Sequence, residues 1–173
     1  MNDLNEKGEF LDLADLLIPT TAAEIQDDWY VAGLQGTGSN SLVVKDLEIP
    51  AHRYLSLMGL LDHDTPGMEG YDGWLHKAEA VPVLAIALCG GAIGLGRAAV
   101  KQFKNNIVGK TVAYTEHLQT EWSSTHITLG KAASLIEAGE LLLYRAADDT
   151  DRFARKGEKM SMEMRGRIRM DCA

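Results

Sequence analysis

The sequence predicts an α+β fold that is mainly helical, an antiparallel four-helix-bundle-like C-terminal domain preceded by a short antiparallel β segment. Two observations carry this. Pro50, Pro66, Pro82 and most turn dipeptides cluster in the front of the chain, up to about residue 80, while the remainder is rich in Ala and Leu with a long hydrophobic period. In addition, 46% of the 173 residues are hydrophobic, and a chain of this length buries roughly 70% of its unfolded surface without disulfides or metals. The expected organisation is a partial β-domain segment over residues 1–53, a connecting loop over 54–80 and a helical bundle domain over 81–173.

Residues 24–31 have the aromatic and β-branched content of a strand, and residues 41–49 end in the alternation Asp46, Leu47, Glu48, Ile49. Between them Gly33, Gly36, Thr37, Gly38, Ser39 and Asn40 form a dense turn signal. Two antiparallel strands joined by that loop are expected, with Pro50 closing the second. A pair of strands is marginal alone and needs a sheet or helices to lean on. Residues 54–73 read as a long connection, broken by Asp62, Asp64, Pro66, Gly67, Gly70 and Gly73.

Residues 81–106 have a helical pattern whose first half is apolar all round, as in a helix central to a bundle. Gly90, Gly91, Gly94 and Gly96 cost helix propensity and permit close backbone approach. A second helix is expected over 124–155, with Leu129, Ala132, Ala133, Ile136, Leu143, Ala146 and Ala147 in one buried stripe. Gly157 stops it and Ser161 caps the next helix, which carries Arg165, Arg167 and Arg169. That last helix is expected to be still running at Ala173, so that the chain stops before the fold does.

Composition also excludes function classes. With 17 Lys+Arg against 25 Asp+Glu the chain carries a formal charge of −8, which argues against a nucleic-acid partner. Cys89 and Cys172 have neither metal-ligand nor redox-motif spacing and read as free thiols in a reducing cytoplasm. The polar N-terminus has no export signal. The longest apolar stretch, residues 80–96, is interrupted by Pro82 and four glycines and falls short of the about 20 residues of a bilayer crossing. It reads as a buried helix, with no membrane partner.

Few residues announce chemistry. The Gly36-Thr37-Gly38-Ser39 loop offers consecutive backbone N–H groups and two hydroxyls, suited to an anion nest or simply to a glycine hairpin. No Lys-Ser/Thr pair makes it a Walker loop, and Gly91, Gly94 and Gly96 miss the dinucleotide fingerprint, reading instead as packing glycines. His52, His63, His76, His117 and His126 lack the spacing of a metal site, so no metal is expected. Asp62-His63-Asp64 reads as a solvated acidic loop, and Ser-His-Asp catalysis lacks its nucleophile elbow. Arg97 is the only charge between Glu79 and Lys101; it is expected to snorkel out of the bundle rather than to meet a buried anion.

Taken together, Trp29, Gly33, Gly36-Thr37-Gly38-Ser39-Asn40 and then Asp46, Ile49 and Pro50 resemble the tryptophan, GxxGTGS and D-x-x-V-P signature of acyl-CoA dehydrogenase-like flavoproteins. The similarity is closest to the flavin-dependent hydroxylase branch, the oxygenase components of two-component aromatic monooxygenases. Later segments keep the order of that branch: an acidic Gly/Pro loop, an apolar helix, Gly109-Lys110-Thr111 and a long Ala/Leu helix. The resemblance extends over about residues 10–173 and implies N-terminal helices, a middle β-domain and a C-terminal four-helix bundle. Of these the chain resembles only the end of the β-domain and most of the bundle.

The resemblance further implies flavin, FAD or FMN, held between domains and subunits of a homo-oligomer (dimer or tetramer), and a flavin reductase as partner. Trp29, Thr37 and Ser39 match the cofactor motif directly. Lys77 stands where the hydroxylase branch often has Arg near the isoalloxazine, and lacks the bidentate fork of Arg. Lys110 stands near the Arg that the dehydrogenase branch sets on the flavin pyrophosphate of a neighbouring subunit, and serves as a point charge. No catalytic residue is named. Dehydrogenation of an acyl thioester needs a carboxylate base, and there is no Asp or Glu between Ala80 and Val100; the other usual site would lie beyond Ala173. The expected function is thus the C-terminal portion of a flavin-dependent oxidoreductase of the aromatic hydroxylase type, with little turnover alone. An acyl-CoA dehydrogenase fragment and a non-enzymatic helical oligomerisation module are the alternatives.

Overall fold

A computed structural model describes residues 2–4, 7–62, 64 and 70–173. The chain divides into two compact units, Met1–Pro66 and Gly67–Ala173. Strands and 3-10 turns dominate the first and long helices the second, so the α+β, mainly helical class is observed.

The first unit holds β1 (Asn2–Leu4), β2 (Phe10–Leu16), β3 (Glu24–Gln26), β4 (Ser41–Val43), β5 (Tyr54–Ser56) and α1 (Leu57–Leu61). β3 and β4 pair antiparallel with Glu24 opposite Val43, as expected of two strands flanking the glycine loop. Both are shorter than the sequence pattern implied. Asp46 takes a left-handed conformation, φ 50°, which ends the extended run. The alternating Leu47 and Ile49 then line an open cleft of about 830 Å³ with Ala14, Leu16, Leu42 and Val44. Pro50 caps a 3-10 turn, Ala51–Arg53, instead of closing a strand.

A second, three-stranded antiparallel sheet, ordered β1-β2-β5, was not anticipated. β5 and α1 occupy the start of the presumed connection, with the Ser56 hydroxyl accepting the Gly59 N–H at 2.8 Å. His63, Pro66 and Gly67 of that connection lie outside the described residues. Asp12 ties the sheet to α1: its carboxylate accepts the Tyr54 hydroxyl at 2.9 Å, the Leu13 N–H at 2.7 Å and, more weakly, the Met58 N–H at 3.4 Å. Hydrogen bonds from Ser56, then Tyr54 and these amides, hold the Asp12 carboxyl below its ordinary range.

In the second unit α2 (Ala80–Asn106) and α3 (Ser123–Lys156) lie within two residues of their expected boundaries, and α4 (Met162–Asp171) starts where expected. Gly157 closes α3 at φ 67° and the Ser161 hydroxyl caps α4 on the Met164 N–H. α4 does not run on to Ala173: it ends at Asp171, with Cys172 as its C-cap. α2 and α3 pack antiparallel, since Ile93 meets Gly139 while Gly96 meets Ile136. A Cβ on Gly96 would lie 3.0 Å from Ile136 Cγ1, so this glycine does permit close approach; Gly90, Gly91 and Gly94 face open space.

The expectation of a buried α2 needs correction. Only Pro82 and Ala85 of α2 are buried, because α3 and α4 cover one of its sides, and Leu84, Leu88 and Leu95 are 57%, 77% and 73% exposed. Among the described residues α2 is the one helix long and apolar enough to cross a bilayer, with mean hydropathy 1.9 over its most apolar window. Arg97 is also corrected. It does not simply snorkel, since its Nη2 sits 2.6 Å from Oε1 of Glu140 on α3.

The small core of this unit is Ala146, Met160 and Ile168, with Ile86, Phe153, Met164 and Cys172 packed around it. Glu79, immediately before α2, is 4% exposed. Its Oε1 accepts the Met160 N–H and its Oε2 pairs with Arg165 Nε, each at 2.5 Å. Asp149 on α3 likewise joins Arg152 and Arg167, and Asp171 joins Arg145 at 2.6 Å.

These anchors differ in depth, and so in the cost of losing them. Glu79→Ala removes the buried carboxylate that Arg165 pairs with and the acceptor of the Met160 N–H, and should cost about 3–5 kcal/mol, whereas Arg97→Ala at an exposed pair should cost under about 1 kcal/mol. Urea unfolding followed by circular dichroism at 222 nm checks the ranking. Because the folded Asp12 carboxyl is depressed, its contribution is complete above the ordinary value of 3.8 and is lost as pH falls below it. The thermal midpoint of the first unit should therefore drop on acidification below pH 3.8 by less in Asp12→Asn than in wild type.

Candidate functional site

The glycine loop is built around two acceptors. Asn40 Oδ1 takes the N–H groups of Trp29 at 3.0 Å and Asp28 at 3.3 Å, and Asp28 Oδ1 takes the Ser41 N–H at 2.8 Å. This reciprocal clasp fixes the loop at the mouth of the β3–β4 pair. Hydrogen bonds from Ser41 lower the Asp28 carboxyl below its ordinary range. At the far end Leu34, at φ 58°, turns its carbonyl inward to accept the Trp29 Nε1–H at 3.1 Å and the Thr37 hydroxyl at 2.9 Å.

Trp29, Thr37 and Ser39 are thus brought together. Thr37 spends its single hydroxyl proton on Leu34, so in the 2.9 Å contact between Thr37 Oγ1 and Ser39 Oγ the proton comes from Ser39. Both oxygens keep lone pairs and neither keeps a donor. The N–H groups of Thr37, Gly38 and Asn40 also turn inward, to the carbonyls of Leu34, Gln35 and Gly38. Of the two readings of the loop, anion nest or glycine hairpin, the second is the nearer: it is a folded 3-10 turn between paired strands whose two hydroxyls offer acceptors and three of whose N–H groups are taken by its own carbonyls. The Trp29 indole is half-buried with its N–H occupied, which leaves the ring face as its free surface.

Lys77 and Lys110 belong to the second unit. Lys77 ends the 3-10 turn Trp74–Lys77, which is held against α3 by the Arg155 guanidinium stacked 3.9 Å over the Trp74 ring. Lys110 follows Gly109, whose φ of 72° ends the α2 turn, and opens a hairpin-like loop in which its carbonyl accepts the Gln119 N–H at 2.8 Å. Both ammonium groups are exposed and have no carboxylate within ion-pair distance among the described residues. α2, 27 residues and about 40 Å long at 1.5 Å per residue, lies between the two lysines in the chain.

The sequence pattern did not single out Asp28 as half of the clasp, nor the Arg155–Trp74 stack behind Lys77. A carboxylate just before an aromatic residue, facing a turn that ends in Asn, is the signal for the first; the second joins residues too distant in sequence to signal.

Residues 86–173 match the family described as acyl-CoA dehydrogenase, C-terminal domain. The oxygenase subunit HsaA of a flavin-dependent monooxygenase from Mycobacterium tuberculosis H37Rv is 31% identical over 166 residues, covering 95% of this chain and 42% of that protein. The oxygenase component of an FADH2-dependent resorcinol hydroxylase from Rhizobium sp. MTP-10005 is 28% identical over 136 residues, covering 75% and 33%. XiaF from Streptomyces sp., solved in complex with FADH2 and glycerol, superposes with a TM-score of 0.83 at 24% identity over 99% of this chain and 43% of that one. The chain spans less than half the length of these relatives.

Asn40→Ala removes the acceptor of two backbone donors and should cost the first unit about 1–2 kcal/mol. Trp29 emission should shift to longer wavelength, with Asn40→Asp, which keeps the acceptor, staying near wild type.

Proposed function

The chain belongs to the acyl-CoA dehydrogenase family through its C-terminal domain, and from this premise we propose that it is the C-terminal portion of a flavin-dependent oxygenase component of the aromatic hydroxylase type, acting in the cytoplasm with a flavin reductase as partner. The observation that carries this reading is the 31% identity to a flavin-dependent oxygenase subunit along 95% of the chain. When bound, reduced flavin supplies the activation of oxygen for transfer to a phenolic ring.

Residues of the first unit fit one edge of such a cofactor, and a lysine of the second unit suits a cofactor held by a neighbouring subunit. The lone pairs of Thr37 and Ser39 suit the N–H groups of a reduced isoalloxazine, and the free face of Trp29 suits stacking. Lys110, exposed and unengaged by any carboxylate among the described residues, serves a pyrophosphate or phosphate as a point charge. Lys77 serves the ring or the phosphate of a second site, because α2 separates the two lysines. The dehydrogenase alternative lacks its base on α2: Glu79, the carboxylate immediately before it in the sequence, is buried and committed to Met160 and Arg165, and Glu140 on α3 is committed to Arg97.

The assembly is a symmetric homo-oligomer. Leu84, Leu88, Gly91 and Leu95 repeat at helical spacing along the uncovered side of α2, forming an apolar stripe that a second copy covers. We assign the apolarity of α2 to this interface and not to a membrane.

Titration of the purified chain with oxidised flavin, read by flavin fluorescence, tests the cofactor reading. Quenching is expected, weakened about tenfold by Lys110→Ala, the loss of one charge-assisted contact. A chain that is colourless and indifferent to flavin, with Lys110→Ala and Trp29→Ala unchanged, would favour a helical oligomerisation module. Hydroxylation of a phenol with a reductase present is expected to be very slow, because a missing supporting shell costs orders of magnitude in rate. Light scattering should report at least a dimer at micromolar concentration, and a monomer for Leu88→Glu.

A further inference from the structure

Cys89 and Cys172, distant in sequence and given no joint role by the flavin reading, meet in the fold. Cys89 follows Ile86 by one turn on the side of α2 that packs on the core, and Cys172 follows the fully buried Ile168 by one turn at the end of α4. The Cys89 thiol donates to the Cys172 carbonyl oxygen at 2.9 Å. Both side chains are half-buried free thiols. We propose that Cys89 and Cys172 form a modification site, a reversible disulfide made by hydrogen peroxide that fastens the end of α4 to the middle of α2.

The contact already places Cys89 Sγ on the backbone of its partner residue, and rotation about one χ1 exchanges a carbonyl neighbour for a sulfur neighbour. The two thiols already lie within hydrogen-bonding reach of each other, and α4 is held in place by Glu79–Arg165 and by Asp171–Arg145. Burial, with the Cys89 thiol beside it, pushes the Cys172 thiol up to about 11. Cys172 therefore stays protonated at neutral pH, and Cys89 is the sulfur that reacts first.

The chemistry balances. The Cys89 thiolate attacks one peroxide oxygen; an S–O bond forms, the O–O bond breaks and water leaves after protonation, giving a sulfenic acid. The Cys172 sulfur then attacks Cys89 Sγ, losing its proton as the S–S bond forms and the S–O bond breaks, and a second water leaves. The two thiols together lose two protons and two electrons, and the peroxide is reduced to two waters. A dithiol reverses the step. The site needs no bound flavin, so it stands or falls separately from the cofactor reading.

The test exposes the full chain to hydrogen peroxide, alkylates the remaining thiols and maps the digest by mass spectrometry. A linked pair of peptides holding Cys89 and Cys172 is expected, two hydrogens lighter than their sum, released by dithiothreitol and present in species that run as single chains on a non-reducing gel. The oxidised chain should melt higher by about 5 °C or more, because the bond closes a long loop in the unfolded state. Cys89→Ser and Cys172→Ser should each abolish both signals. Full alkylation of both cysteines after peroxide would overturn the proposal, as would separate sulfinic acids or links only between chains. The wild-type map decides even if a variant fails to fold.

Discussion

The second unit depends on one desolvated carboxylate. Glu79 is 4% exposed, and a charge at that depth is tolerated only when it is paired and hydrogen-bonded. Its two oxygens are spent on different parts of the chain, one on the Met160 N–H in the connection after α3 and the other on Arg165 of α4. The start of α2, the α3–α4 connection and α4 are thereby held at one point. Met160 and Ile168 close over Ala146 beside it, and the contact of Cys172 with Cys89 requires α4 to lie where Glu79 holds it. Lys77 lies two residues before this anchor, on a turn that Arg155 grips through Trp74. The position of that lysine is therefore inherited from the same corner of the fold.

The helices were legible because their signals are local and redundant. The stripe from Leu129 to Ala147, the Gly157 stop and the Ser161 cap each mark the same boundaries, and the structure agrees within two residues. The strands were not. β5 has three residues, and β2 reads Phe-Leu-Asp-Leu-Ala-Asp-Leu, in which Asp12 faces inward only because Tyr54, Leu13 and Met58 supply its donors. A polar residue on the buried face breaks the period by which a strand is recognised, and its partners Tyr54 and Met58 lie more than 40 residues away.

The candidate site shows a different limit. The sequence placed Thr37 and Ser39 in the glycine loop and Trp29 in the strand before it, and left the loop open between an anion nest and a hairpin; the structure brings the three residues together in a folded turn. Glycines and hydroxyls in succession suggest donors facing outward. In the folded loop the carbonyls of Leu34, Gln35 and Gly38 take the N–H groups of Thr37, Gly38 and Asn40, and Leu34 takes the Thr37 hydroxyl as well, so that the hydroxyl pair beside Trp29 is left as acceptors. Which groups a loop offers is decided by which it has already spent, and proton direction along Ser39, Thr37 and Leu34 is a property of the closed chain of hydrogen bonds rather than of any residue in it.

α2 carries the same lesson at larger scale. Ile86, Cys89, Ile93, Gly96 and Val100 face α3 and α4, while Leu84, Leu88, Gly91 and Leu95 lie on the opposite side, uncovered. Each stripe alone has the spacing of a packed helix face, and together they erase the amphipathic signal that tells inside from outside. A helix that is apolar all round specifies two partners without saying which belongs to its own chain. Here one side is satisfied by α3 and α4, through a glycine contact too close for any Cβ without a shift of Ile136. The other side has the length, the spacing and a central glycine suited to a second helix of the same kind. In the proposed homo-oligomer, with Lys77 and Lys110 beyond opposite ends of α2, an antiparallel copy packed along that side would bring Lys77 of one chain toward Lys110 of the other.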